Sequence, residues 1–384
     1  MKVYFITDHP FWESDGSYYS GGGLPYTIWD RYLLGDVELC VIGRYSKKPN
    51  ITLSSRDNVS FKLSKLYQKP QDAIVRYKKV YDELTTYMED ADRVIIRLPS
   101  WLGLIAQQIC LKKNIPYATE VVADAYDSYR NYGNLSGLLF ASLYHQLNRI
   151  AISKSKYTLY VTQEYLQKRY PNENYTLGCT DSEIDPVDIE VLQRRLSKIE
   201  MLKENASITC GQIGNISVKY KGYHIMLKAM AELKETGIKL QYHIAGGGSA
   251  ENILLLAKKY GIEDQVIIRG RIPHEEIPQF IDSLDIYVHP SFQEGLPRVI
   301  VEAISRGCPC LTSDVAGTPE LIEESCLHHT GDVEKLCLDL HTFIENTELM
   351  KQAAVRNYNH AKQYYSDILD KKRSDFYTKF YKQQ

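Results

Sequence analysis

The chain is 384 residues long, with 46 Lys and Arg against 48 Asp and Glu and a formal charge of −2. That length exceeds what one core usually serves, so two domains of about 150–200 residues are expected. Near-neutral charge argues against a general nucleic-acid binder, although residues 1–180 hold 22 basic and 18 acidic side chains, a net of +4, and the remainder 24 and 30.

Met1 to Thr7 reads as one short apolar strand without the hydrophobic region of a signal peptide. No segment reaches the ~20 apolar residues that span a bilayer, so membrane contact is expected to be peripheral. Short apolar or β-branched runs follow at Val37–Gly43, Val94–Arg97, Tyr117–Val122 and Thr158–Val161, with helical stretches at Asp72–Met88 and Trp101–Lys113 between them. Such alternation predicts an α/β domain with a mostly parallel sheet covered on both faces. Leu135–Ile152, with Leu138, Leu139, Leu143, Leu147 and Ile150, is amphipathic and is followed by Lys154 and Lys156. It reads as a core-packing helix, with a peripheral membrane face as the alternative. Residues 179–206 are polar and poor in strand signal, and are expected to link domain 1–178 to domain 207–361.

The second alternation is sharper. Strand Ile208–Ile213, helix Tyr223–Glu235, strand Leu240–Ala245, helix Glu251–Tyr260, strand Val266–Arg269 and helix Glu275–Leu284 succeed one another. In Tyr223–Glu235, Met226, Ala229, Met230 and Leu233 have the spacing of an amphipathic helix stopped by Gly237. Strand Leu284–Val288 then leads through His289-Pro290-Ser291-Phe292-Gln293-Glu294-Gly295-Leu296-Pro297 into a helix that carries Glu302 and ends at Gly307 and Pro309. Pro297 suits the first helical position. Free N–H groups and the dipole at such a start suit a phosphate or a polyhydroxyl ligand, and carboxylates beside it suit sugar hydroxyls. A Tyr-rich helix runs from about Met350 to Tyr381, and 362–384 is expected to form the terminal element.

Eight cysteines are scattered along the chain, and only Cys308 and Cys310 are close. No second spaced pair completes a zinc pattern, so they read as reduced core thiols of a cytoplasmic protein. Asp90-Ala91-Asp92 has the form of a metal-binding Asp-x-Asp but precedes its strand, and reads as solvated.

Tyr287 to Ile322 resembles the donor-binding motif of the retaining glycosyltransferases of family 4, also called group 1, which have the GT-B fold. The resembling string is Pro-Ser, Glu294-Gly295-Leu296-Pro297, Glu302, and then Val315-Ala316-Gly317-Thr318-Pro319-Glu320-Leu321-Ile322. The resemblance is strong from Ile208 to Ile322 and weak before Gly178. It implies two Rossmann-like domains facing a cleft, with the terminal helix returning to the N-terminal domain.

It also implies roles. Lys221, in the loop Gly214–Gly222, matches a Lys-Gly whose lysine neutralises the donor diphosphate; Glu294 would hold the donor sugar and Glu302 the ribose. The N–H groups of Gly295 and Leu296, with the Pro297 helix start, would orient sugar and phosphate. Gly246, in Gly246-Gly247-Gly248, matches a turn near the nucleotide, and Arg271-Ile272 a segment whose main chain contacts the nucleobase. Gly22-Gly23 match a glycine-rich loop near donor phosphate and acceptor. Many relatives carry a His facing the sugar where this chain has Asp124, with Asp127 and Glu120 behind it. Many also carry an Arg where this chain has Gln212; either the neutral amide suffices beside Lys221, or Lys219 or Arg298 contributes.

The implied activity is sugar transfer, of a hexosyl group in kind, from a nucleotide-diphosphate sugar to a glycan or lipid-linked hydroxyl acceptor, with retention. Polysaccharide or glycolipid assembly is the implied setting, in the cytoplasm or at the inner membrane face. Neither cofactor nor metal is demanded, the nucleotide sugar being a substrate. A GT-B nucleotide-sugar epimerase and a non-catalytic nucleotide-binding scaffold subunit are the alternatives.

Overall fold

The computed structural model describes residues 1–127, 135–202, 207–238 and 240–383, with the side chains of 135–139 outside the description. Leu138 and Leu139, two members of the expected amphipathic stripe, therefore lie outside the described side chains. The chain divides into two compact units, Met1–Cys179 with Asp370–Gln384, and Thr180–Leu369.

The first unit is built on nine strands: β1 (Lys2–Ser14), β2 (Ser17–Ser20), β3 (Glu38–Tyr45), β4 (Thr52–Leu53), β5 (Val59–Ser64), β6 (Arg93–Leu98), β7 (Tyr117–Val121), β8 (Tyr157–Tyr160) and β9 (Tyr175–Gly178). The parallel strands run β5-β3-β1-β6-β7-β8-β9. Val3 through Ile6 are buried on both faces of β1, as a covered parallel sheet requires. β1 outruns its expected end, turning at Asp15-Gly16, both at positive φ, into antiparallel β2. The Asp-Gly pair flanked by extended residues is a hairpin signal that a reading limited to apolar runs passes over. The expected helix 72–88 is broken at Arg76 into Asp72–Val75 and Tyr77–Tyr87, while Trp101–Lys113 is one helix. Asp90 accepts hydrogen bonds from Lys2 Nζ and the Tyr4 hydroxyl, anchoring the start of β1.

The C-terminal helix belongs to this first unit, as expected of a returning element. The stretch from Met350 is two helices, Thr347–Ala361 and Ser366–Tyr381, parted by a turn at Lys362–Tyr364. Phe376, Tyr377 and Phe380 are fully buried. Tyr377 donates to Glu120 on β7, whose carboxylate also accepts from Tyr32 at 2.8 Å and Arg97 at 2.9 Å. Glu120 is thus a buried anchor between sheet and terminal helix.

The second unit holds β10 (Ile208–Ile213), β11 (Leu240–Ala245), β12 (Val266–Gly270), β13 (Ile286–His289), β14 (Cys310–Ser313) and β15 (Leu327–His328). All pairings are parallel, in the order β12-β11-β10-β13-β14-β15. This is the doubly wound dinucleotide-fold order, and the strand order reverses between β10 and β13. The stretch expected to be a linker carries helix Ile189–Glu200 and packs into this unit. Its Arg195, only 3% exposed, donates to the carbonyls of Ile281 and Leu284 at the end of a neighbouring helix. Those C-terminal carbonyls have no intrahelical partners, which explains why a polar, strand-poor segment folds as part of the core. All eight cysteines are free thiols; seven are buried and Cys337 is half-buried.

Candidate active site

Because every strand of the second unit is parallel, the loops that follow them emerge at one sheet edge. The loops after β10, β11, β12 and β13 carry Lys221, Gly246, Arg271 with Ile272, and Glu294. At the reversal point the β10 and β13 loops are locked together. Gly222 has φ +75°, and a Cβ there would stand 1.8 Å from the Pro290 carbonyl oxygen, so only glycine allows the approach. The Phe292 N–H donates to the Tyr220 carbonyl at 2.7 Å, and Ser291 Oγ donates to the same oxygen at 3.0 Å.

These contacts place Lys221 Nζ 2.8 Å from Glu294 Oε1. His289, the last residue of β13 and fully buried, is 2.7 Å from the same oxygen through Nε2. Burial alone would raise the Glu294 pKa, but His289 and Lys221 outweigh it and hold the carboxyl down to about 2. Tyr223 stands nearby, its hydroxyl pushed up by burial and by the Glu294 charge.

Gln212 is fully buried, with Nε2 donating to the Lys221 carbonyl at 2.7 Å and Oε1 accepting from Tyr242. The expectation that it takes the place of a donor-binding Arg is corrected by this burial: its amide supports the Lys221 main chain. Gly246 serves a similar mechanical end. At φ +150°, it lets the turn pass where a Cβ would lie 1.7 Å from the Gly214 carbonyl oxygen, and its N–H donates to Gly270 at 2.7 Å. Arg271 follows as an exposed residue, while Ile272 packs half-buried on the core.

The helix after β13 runs Arg298–Ser305, with Pro297 at the position before its first residue, one step earlier than expected. Its first turn holds no acidic residue and no side chain caps it. The carbonyls of Gly295 and Leu296 are held by the Gly317 N–H at 2.9 Å and Ser182 Oγ at 3.2 Å. No protein acceptor takes the N–H groups of those two residues among the described residues. One turn on, Glu302 is 9% exposed; its Oε1 accepts from Arg298 Nε at 3.0 Å and lies 3.2 Å from His274 Nε2. Its Oε2 is buried with no protein partner. Glu302, Arg298 and His274 line a cavity of about 470 Å³ whose other walls include Ile184, Val187 and Ile277. Arg298, named above with Lys219 as a cation that could contribute in place of the missing Arg, is paired with Glu302.

Gly22, Gly23 and Asp124 lie in the first unit. Gly22 and Gly23 form an exposed loop after β2, and the Cβ position of Gly23 stands 3.6 Å from the His9 ring. Asp124 does not present a free charge. It is 6% exposed and accepts from Arg169 Nε at 2.8 Å, the Tyr126 N–H at 3.0 Å and the Tyr170 hydroxyl. Burial tends to raise its pKa, but Tyr170, Tyr126 and Arg169 together hold it below the usual carboxylate value. A carboxylate saturated in this way is a structural anchor, and its expected catalytic role is withdrawn. Sequence reasoning missed His289 and His274 as partners of the two glutamates. His289 stood inside the quoted motif, and its position at the buried end of a strand was the available signal.

The second unit thus gathers a cation, two buried carboxylates and an uncapped helix start at the reversal point of a doubly wound parallel sheet. Residues 198–360 match the family model described as glycosyl transferases group 1. Protein CapJ of Staphylococcus aureus is 30% identical over 365 residues, which covers 93% of this chain and 90% of CapJ. The amylovoran biosynthesis glycosyltransferase AmsK of Erwinia amylovora is 36% identical over 126 residues, 30% of this chain and 31% of AmsK. The crystal structure of Anabaena HepE in complex with UDP has a TM-score of 0.68 at 14% identity, covering 99% of this chain and all of HepE, and shows the shared GT-B fold. The chain belongs to the group 1 glycosyltransferases.

Proposed function

We propose that the enzyme transfers a sugar from a nucleoside-diphosphate sugar to a hydroxyl of a glycan or lipid-linked acceptor, with retention of anomeric configuration, in surface polysaccharide or glycolipid assembly. The observation that carries this reading is the Lys221–Glu294 pair at 2.8 Å, set at the strand-order reversal before a helix with free N–H groups. Diphosphate leaves as an anion, so a fixed ammonium and helix-start N–H groups stabilise the charge that grows in the transition state. Glu302, with one buried oxygen lacking a protein partner, suits ribose hydroxyls, because an ionised carboxylate accepts strong hydrogen bonds. Glu294 is fully ionised at neutral pH and suits sugar hydroxyls. These groups supply the charge that a metal ion would otherwise bring. The polymer setting is supported by the name of AmsK, and a uridine nucleotide by the UDP in HepE.

The test is release of nucleoside diphosphate from a panel of nucleotide sugars, beginning with UDP-sugars, with and without hydroxyl acceptors and with EDTA. Acceptor-stimulated release that survives EDTA, with a product whose anomeric proton shows the donor's configuration by NMR, is expected. Interconversion of the donor sugar without net release would replace this reading with an epimerase, and an inverted product would remove retention.

Among the described residues no helix is long and apolar enough to cross a membrane. Phe140, Leu143 and Ile150, between 42% and 52% exposed along helix Leu135–Ser153, support peripheral contact with the membrane that would hold a lipid-linked acceptor. Flotation with anionic vesicles tests it, and absence of binding would leave the acceptor to be sought in solution.

A further inference from the structure

Glu294 Oε1 receives two donors of different kinds. Lys221 is a mobile cation on a long stem, 16% exposed at its side chain, while His289 is fully buried on the end of β13. The His289 ring lies parallel to that of Tyr287, two residues back on the same strand, and its main-chain oxygen accepts from Ser313 Oγ at 3.4 Å. Nε2 faces Glu294, and Nδ1 is buried without a partner. Its register neighbour on β14, Thr312, likewise has a buried Oγ1 without a partner.

A carboxylate acceptor calls for a proton on Nε2. Nε2 therefore carries the proton that Glu294 Oε1 accepts at 2.7 Å.

We propose that His289 is the positioning residue that keeps Glu294 oriented while Lys221 turns its charge to the donor diphosphate. The proposal rests on the reading of Glu294 and Lys221 given above. In the free enzyme Lys221 and His289 both hold Oε1. When a diphosphate arrives, the ammonium is shared between two anions and its bond to Glu294 weakens. The His289 bond does not compete with the ligand, since the ring is buried and its Nε2 faces Glu294. Lys221 can thus respond to the leaving group without releasing the carboxylate that orients the sugar. The charged and titratable groups facing Glu294 are Lys221 from the β10 loop, Tyr223 from the helix after it, and His289 from β13.

The test compares His289→Leu, His289→Gln and His289→Asn, with Glu294→Gln as reference, in kcat and donor KM at pH 7.5. The glutamine amide nitrogen is as many bonds from Cα as Nε2 is, whereas that of asparagine is one bond shorter. His289→Leu should lower kcat at pH 7.5 about tenfold or more, with KM changed less than threefold. His289→Gln should recover most of kcat, and His289→Asn should not. An unchanged kcat in a folded His289→Leu protein would overturn the proposal, as would equal rescue by both amides. Nitrogen-15 shifts of the wild-type histidines, assigned through His289→Gln, test the pairing without any buried apolar substitution. A proton on Nε2 at pH 7, with and without UDP, supports the proposal; an Nε2 without a proton overturns it. If Glu294→Gln kept wild-type kcat, the Glu294 reading would fail first, and the role of His289 would fall with it.

Discussion

The two units share one strand order at their centres and use it in opposite ways. In both, the order reverses beside the first strand, and a helix follows the strand across the reversal. In the first unit that helix is Trp101–Lys113, and its start is already occupied. Asp8, just after the buried core of β1, accepts from the N–H groups of Trp101 at 2.8 Å and Leu102 at 3.0 Å and from Ser100 Oγ at 2.8 Å. Ser100 then caps the helix through the Gly103 N–H at 2.9 Å. In the second unit the corresponding helix, Arg298–Ser305, has neither an acid in its first turn nor a side-chain cap. The helix start is thus satisfied by side chains in one unit and carries no side-chain cap in the other. The same contrast holds for carboxylates: Asp124 is saturated by Arg169, Tyr126 and Tyr170, whereas Glu302 keeps one oxygen without a partner.

Breaking the open site should cost activity, and breaking the closed one should cost stability. The largest effect is expected for Lys221→Ala. Loss of a preorganised charge at a developing anion costs roughly 100-fold in kcat, about 2.7 kcal/mol, with a smaller change in nucleotide affinity. Rapid-quench and equilibrium measurements separate the two, and a change confined to KM would make Lys221 a uniform binder.

Asp124→Asn should destabilise the first unit by about 2 kcal/mol. That is less than the ~3–5 kcal/mol for breaking a fully buried pair, because Arg169 is 41% exposed and partly screened. Since the folded pKa of Asp124 lies below its unfolded value, its contribution is complete above the unfolded pKa of about 3.9 and is lost as pH falls through the folded one. Urea titrations should show the gap between wild type and variant widest above about pH 5 and closing below pH 4. A gap that grew on acidification would contradict the anchoring role.

Glu302→Ala should weaken nucleoside-diphosphate binding about tenfold, one charge-assisted hydrogen bond at ~1.5–3 kcal/mol being lost. Equal affinities by calorimetry would remove Glu302 from the site. Asp8→Asn is expected to be the mildest change, about 1 kcal/mol from the charge at the helix start, seen as a few degrees in Tm. Nucleotide affinity should stay at the wild-type value; a tenfold change in it would mean that the two helix starts are not used as differently as their contacts indicate.

Several elements of the second unit were legible because their strands are short apolar runs and their helices keep one apolar face. Ile208–Ile213, Tyr223–Glu235 and Leu240–Ala245 form with the boundaries their patterns imply. The string Glu294-Gly295-Leu296-Pro297 with Glu302 stood out as a motif, since one loop and one helix turn hold these residues close in sequence. Less was readable in the first unit. Its β1–β2 ribbon rests on a two-residue turn, and β9 is held by pairing to β8 more than by its own apolar pattern. What the sequence determined by itself, then, is the alternation of elements and the local acid–helix motif. Only tertiary structure decided which charges remain available. Lys221 and Glu294 are 73 residues apart, and they meet because parallel pairing of β10 and β13 brings distant loops to one edge. Asp124 reads as a loop carboxylate until Arg169 and Tyr170, 45 and 46 residues on, close over it. A carboxylate's chemistry depends on which donors reach it, and those donors come from elements that the fold, and not the local sequence, places beside it.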